Sequence, residues 1–481
     1  MSKEEINIKE TIPTSSKVSF GAISFTSGFF SSLVIATSFT YFYNVKLGLT
    51  PFWTSLAWGI FIVWNMVNDP LFGFFQDRTS FKKFGRRVPY IRFGGPIYAL
   101  LFIIAWFPFV PLSSQIGLFF NLLIMLYAFD TLYTLIGLIS YSLPAEMAIT
   151  ERARSNLMIF GAIGSALSLL LSFVIPLFLL TGDLPIDQDP MIPIFRITMI
   201  IFGIFGGIIL FVSSFYIKEN EYATLEEPLS WKDGFIETFK NAPFLIFEVS
   251  NFSWLIAQYL LTNGVLYYVD FVLNLTGFMA QLPLLIFFIV LFIFFPIFSK
   301  IITKIGLKTT FILILFFTSG VFFLTFFIGW HFETAIISMI LMGIGISGYY
   351  VTNQMIMADI IDYDEVRTGK RRETSYAGMN ALLTKPTNSL SPMILLAILS
   401  VFGFISKSGA TQPSSVPMGV MLAFTLIPAV AILFSGFIML YYPLGGKEWM
   451  NKKKELHQIH QRKEEEYIEK IKEKNLDEIN L

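Results

Sequence analysis

Apolar runs of about 20 residues, the length that crosses a hydrocarbon core of about 30 Å, recur along nearly the whole chain with short polar breaks between them. They predict twelve helices, at 19–43, 51–73, 91–112, 115–140, 157–180, 193–217, 244–272, 277–299, 309–330, 333–356, 375–404 and 416–442. Only helices or a closed barrel satisfy the backbone in lipid, and runs this long lack the alternation of a barrel strand. The expected fold class is an all-α membrane protein. A charged connector at 218–243 divides it into six-helix bundles at 19–217 and 244–442, flanked by a polar segment, 1–18, and a charged tail, 443–481. Residues 1–18 lack a positive stretch before a short apolar core, so no cleavable signal peptide is expected. The tail alternates Lys-rich and Glu-rich stretches and reads as a solvated helix.

Composition agrees with the pattern. Hydrophobic residues make up 54% of the 481 and charged residues 14%, too little polar surface to cover a soluble globule of this size. The absence of Cys excludes thiol catalysis, disulfides and Cys-ligated metals, and the three His show no ligand spacing. A net charge of zero argues against a nucleic-acid partner.

Lys and Arg cluster after helix 2 (Arg78, Lys82, Lys83, Arg86, Arg87, Arg92), after helix 8 (Lys300, Lys304, Lys308) and after helix 10 (Arg367, Lys370, Arg371, Arg372), with little opposite beyond Lys46 and Lys407. The positive-inside rule then places these loops and both termini in the cytoplasm. Acidic and basic residues also recur at matching places in the two halves: Asp77, Arg78, Arg86 and Arg87 after helix 2, Glu146, Glu151, Arg152 and Arg154 after helix 4, and Asp359, Asp362, Glu365, Arg367 and Arg372 after helix 10. Ion pairs among them are expected to form an inner gate that breaks when the halves rock. PAEMAITERARSN after helix 4 answers MADIIDYDEVRTGKRRE after helix 10, a parallel repeat of the kind found in major facilitator transporters.

Asp69 lies deep in an apolar run, where a charge costs roughly 2.5–3.5 kcal/mol by insertion scales, and it is the first functional suspect. Four motifs surround and extend it: NDPLFGFFQDRTSFKKFGRRVPY, YSLPAEMAITERAR, KNAPFL and MADIIDYDEVRTGKRRETSYAG. Together they resemble the glycoside-pentoside-hexuronide:cation symporters, the melibiose-permease relatives within the major facilitator superfamily. The resemblance implies a secondary transporter, no enzyme and no cofactor, that moves a sugar or glycoside with H⁺ or Na⁺ across the plasma membrane as a monomer. A lysolipid-transporting branch on the same scaffold is the alternative, favoured by the 54 Phe; a non-transporting membrane sensor is a third reading.

The resemblance assigns the cation site to Asp69, Asn68, Thr134 and Asn65. Asn65 stands where the melibiose-type pattern has a first carboxylate, so the site is expected to hold one negative charge. Lys385 matches the family's single buried lysine and is expected to pair with Asp69 across the halves. Desolvation then favours a proton on Asp69 and Lys385 favours its ionised form, with proton coupling the expected outcome. Asp130 is another intramembrane carboxylate whose face is left open, the outer water boundary being one position. The sugar-binding carboxylates of the melibiose pattern are replaced by Gly28 and Gly137, its arginine by Ala162 and its tryptophan by Tyr141. Substrate contacts are expected instead from Lys385, Tyr141, Asn380, Asn251 and Gln258, because amides donate and accept as vicinal hydroxyls require, and Tyr141 or Trp254 can stack on a sugar ring.

Overall fold

A computed structural model describes residues 12–78, 87–148, 151–182, 189–217, 237–369, 372–406, 410–446 and 449–456. Twelve helical rods make up most of them, with a further helical segment at 449–456, and no strand occurs among the described residues. α1 begins as Thr14–Ser31 and continues through π-helical turns at Ser32–Thr37 and Phe42–Lys46. In the first half follow α2 (Pro51–Arg78), α3 (Val88–Ile104), α4 (Gln115–Met147), α5 (Glu151–Leu179) and α6 (Met191–Ser213). The second half holds α7 (Ala242–Phe271), α8 (Gly277–Ile305), α9 (Leu307–Ile328), α10 (Phe332–Thr368), α11 (Glu373–Thr384 and Pro386–Val401) and α12 (Val416–Met421, then Ile427–Leu440).

Ten of these are long and apolar enough to cross a membrane, and α3 is a shorter apolar helix. Trp and Asn residues lower the hydropathy of α2, although its 28 residues are ample for a span. Several helices outrun the predicted limits. The 37-residue α10 extends twelve residues beyond the apolar stretch that marks it in the sequence, because its polar last turns stand clear of hydrocarbon and keep their helical bonds in water.

Packing repeats between the halves. α1 lies on α5 and α6, α2 on α4, and α3 on α4 and α6; six helices later, α7 lies on α11 and α12, α8 on α10, and α9 on α10 and α12. The bundles meet where α2 packs on α11 and α5 on α8, pairs that the same six-helix shift exchanges. Small residues permit the closest crossing: a Cβ at Gly164 would come within 2.2 Å of the Gly21 carbonyl oxygen. One residue, Gly306 at φ +86°, joins α8 to α9. Facing outward, Phe93, Ile97 and Leu100 on α3 and Ile197, Ile201, Ile204 and Ile208 on α6 form exposed apolar stripes at helical spacing, the surface expected to meet lipid tails.

Two breaks place functional side chains. Pro386 has no N–H to continue the ladder, so α11 is interrupted at Lys385, in the middle of the span. Asn241 caps α7 by accepting from the Phe244 N–H at 3.2 Å, which fixes where the segment carrying Glu248 and Asn251 begins.

Candidate functional site

Asp69 on α2 forms an ion pair with Lys385 on α11, across the interface between the halves. Lys385 Nζ also donates to Asn68 Oδ1 at 3.0 Å and to Thr134 Oγ1 at 3.3 Å. Asn68 in turn donates through Nδ2 to Thr134 Oγ1 at 3.0 Å and to Asp130 Oδ2. Three helices therefore converge on one ammonium. Its oxygen neighbours, carboxylate, amide and hydroxyl, are the donor types that a hard monovalent cation takes.

The expectation of a single negative charge is corrected here. Asp130 lies against Asn68 in the interior, 1% exposed, not at a water boundary. It stands one turn before Thr134 on the same face of α4, and Asn68 contacts both side chains. Asn68 thus bridges the Asp130 carboxyl to the Lys385 ammonium. Asn65, one turn before Asp69, has both amide atoms buried with no hydrogen-bond partner. An unsatisfied buried polar group costs about 1–3 kcal/mol, which a bound cation would relieve.

The amides predicted to bind substrate belong to a second network, in the other half. Tyr349 OH donates to Asn251 Oδ1, and Asn251 Nδ2 donates to Asn380 Oδ1 at 3.0 Å. Gln258 accepts from Trp254 Nε1 at 3.1 Å and donates to Tyr350 OH at 2.9 Å. Trp254 is covered by Tyr349, the two rings stacked 3.8 Å apart and 7° from parallel, so its face is not free for a sugar ring in this state. At the centre of the network is Glu248, 4% exposed, which the sequence reading missed. Its signal was available: an acidic residue six positions into the apolar α7, one turn from Asn251. Gln258, Thr262 and Tyr350 border a small cavity of about 50 Å³ whose other walls include Leu169 and Phe173 on α5, Phe287 and Phe288 on α8 and Met339 on α10.

A carboxylate on α1 has no room. A Cβ at Gly28 would lie 2.6 Å from Ser168 Oγ on α5. Lys385 belongs to the Asp69 cluster and not to the amide network, and the side chain of Tyr141 lies outside the described residues.

The predicted gate is rearranged where it can be seen. Asp359 pairs with Lys453 and accepts from Trp449 Nε1 at 2.8 Å, while Arg372 pairs with Asp364 at 2.8 Å. Both contacts stay within the second half and the segment after it, and buried Trp449 and Leu456 dock the first part of the tail, which is therefore not wholly solvated. Arg154 reaches the Ala148 carbonyl at 3.4 Å, and Asp362 is half-buried on α10. The side chains of Asp77, Arg78, Arg86 and Glu146 lie outside the described residues. Arg92, read as a loop base, sits inside α3, its guanidinium 4.1 Å above the Phe215 ring.

Among the described residues, links between the halves are found at the opposite face, where Lys46 makes a buried ion pair with Asp189, within the first half, at 3.0 Å. Asp270 on α7 accepts from Tyr41 OH and from the Gly182 N–H at 3.0 Å. Tyr267 OH donates to Asn44 Oδ1 at 3.0 Å, and Asn44 Nδ2 donates to Ser406 Oγ at 2.8 Å. Those bonds close that end of the interface.

A family model described as MFS/sugar transport protein matches residues 19–446. The chain is 24% identical over 319 residues to the glucuronide carrier protein homolog of Escherichia coli (strain K12), covering 66% of this chain and 68% of that one. It is 23% identical over 458 residues to sodium-dependent lysophosphatidylcholine symporter 1 of Gallus gallus, covering 85% and 83%. Among solved structures, the D-xylose-proton symporter superposes with a TM-score of 0.62 at 11% identity, over 89% of this chain and 96% of that one, a likeness of fold.

Proposed function

The chain belongs to the MFS/sugar transport protein family, and from that premise we propose that it carries a sugar or glycoside inward together with one monovalent cation, H⁺ or Na⁺, by alternating access. It is a multi-pass membrane transporter of the glycoside-pentoside-hexuronide:cation symporter type, not an enzyme. Its place is the plasma membrane with both termini cytoplasmic, in keeping with the basic loops.

The observation that carries the reading is the three-oxygen grip of Asp69, Asn68 and Thr134 on Lys385. Lys385 acts as a tethered cation. When a free cation enters between Asp69 and Asp130, the ammonium is displaced, and the α2–α11 contact that it spans is released. A buried charge left unpaired is costly, so neither partner separates until a replacement has arrived. That condition is what couples cation entry to movement of the halves.

The apolar cavity favours a second reading, transport of a lysolipid whose chain lies against Phe173, Phe287 and Phe288 while its polar head meets Gln258 and Tyr350. The chicken relative's name points the same way. A thermal-shift panel of free sugars, glucuronides, apolar glycosides and lysophosphatidylcholine, run in Na⁺ and Na⁺-free buffer at two pH values, separates the two. Cation-dependent stabilisation by sugars or glycosides supports the first reading, and stabilisation by the lysolipid alone replaces it with the second.

A further inference from the structure

Glu248 is 4% exposed, inside α7. Among the described residues no Lys, Arg or His forms an ion pair with it, and the groups around it are the amides of Asn251 and Asn380 and the hydroxyl of Tyr349. The titratable groups facing the network are Tyr349 and Tyr350 on α10 and Tyr259 on α7 itself. α11 contributes Asn380, α12 meets α7 through the Ser435–Ser250 hydroxyl pair at 2.6 Å, and α9 adds the Phe311 ring, 5.7 Å from Tyr349.

One contact in this network depends on protonation. The Asn380 amide atom that receives Asn251 Nδ2 at 3.0 Å also lies 3.0 Å from Glu248 Oε1 and 3.2 Å from Oε2. While Asn251 keeps its own oxygen on the Tyr349 hydroxyl, the Asn380 atom facing its Nδ2 must be oxygen. Two acceptors then face each other across the Glu248–Asn380 contact, and only a proton on Glu248 turns that contact into a hydrogen bond. Once Glu248 is ionised, Asn380 must turn its nitrogen toward the carboxylate. Asn251 then has to turn as well to offer oxygen, and the Tyr349 hydroxyl loses its acceptor. The chain has two self-consistent directions, selected by one proton.

Its far end is the Tyr349 hydroxyl, whose ring is stacked on Trp254, beside the Gln258 that borders the small cavity with Thr262 and Tyr350. We propose that Glu248 is a proton-binding site of the second half, distinct from the Asp69–Asp130 cluster, and that its proton sets the direction of the Asn380–Asn251–Tyr349 chain.

The test is infrared difference spectroscopy of the full-length chain in nanodiscs, titrated from acidic to alkaline buffer. Wild type is expected to show a carboxylic-acid C=O band that disappears as the carboxylate forms. Glu248→Gln should lose that band, and Glu248→Asp should move it, which keeps the assignment available if Glu248→Gln fails to fold. Tyr349→Phe should retain the band but shift the pH at which it titrates, because the chain loses its terminal donor. A difference spectrum unchanged by both Glu248 substitutions would overturn the proposal, as would a titration indifferent to Tyr349→Phe. No substrate is required, so these outcomes stand apart from success or failure of the transport reading.

Discussion

Lys385→Met removes the ammonium and leaves Asp69 and Asp130 facing the same space. The Lys385 and Asp69 side chains are 14% and 12% exposed, so the loss belongs near the lower end of the about 3–5 kcal/mol that breaking a buried pair costs, about 3 kcal/mol. A cation at a hundred times its dissociation constant stabilises the form that binds it by about 2.7 kcal/mol. The two magnitudes nearly cancel. In a cation-poor buffer, Lys385→Met should therefore unfold at clearly lower denaturant than wild type, and saturating Na⁺ or acid should restore most of the difference. Wild type should respond far less, because its tethered ammonium competes for the same oxygens. Asp69→Asn introduced beside Lys385→Met should recover stability without any cation. Unfolding curves in mixed micelles, with Na⁺, choline and pH varied separately, give all of these values. A Lys385→Met deficit that neither cation nor Asp69→Asn reduces would refute the tethered-cation reasoning.

Single Cys residues at Lys83 and Lys370 should react with impermeant thiol reagents only after cells are opened, and one at Asp187 should react from outside; the Cys-free background makes the labelling unambiguous. Asp270→Ala removes the acceptor of Tyr41 and of Gly182, bonds to a charged group worth about 1.5–3 kcal/mol each, so spin labels at Leu112 and His331 should report longer distances across the opposite face. Gly28→Asp should destabilise the fold by about 1–3 kcal/mol through overpacking against Ser168, read as a lower unfolding midpoint, and Ser168→Gly should return part of it.

The twelve helices and the Asp69–Lys385 pair were legible because burying polar groups in lipid leaves few alternatives: a long apolar run must be a helix, and a carboxylate inside one requires a partner. Asp130 was visible as a residue but not as a member of the site. Its spacing of four from Thr134 held that information, yet an apolar helix on every side gives no polar face to orient by. Glu248 escaped for a different reason. It lies close to the charged connector, where an acidic residue reads as a helix end, and only the three-dimensional meeting of α7, α10 and α11 encloses it. The Asp359 partners, Trp449 and Lys453, come from a segment ninety residues on, and a pattern of alternating charge says nothing about where such a segment docks.

In this mechanism cation entry at the Asp69–Asp130 cluster drives substrate uphill. Uptake by proteoliposomes of the ligand identified in the thermal-shift panel, under an imposed inward Na⁺ or H⁺ gradient, measures it directly. Wild type should accumulate substrate above equilibrium under at least one of the two gradients, and Asp69→Asn should abolish accumulation while still exchanging substrate across the membrane at equal concentrations. Accumulation that persists in Asp69→Asn, or uptake in wild type that never exceeds equilibrium under either gradient, would contradict the account.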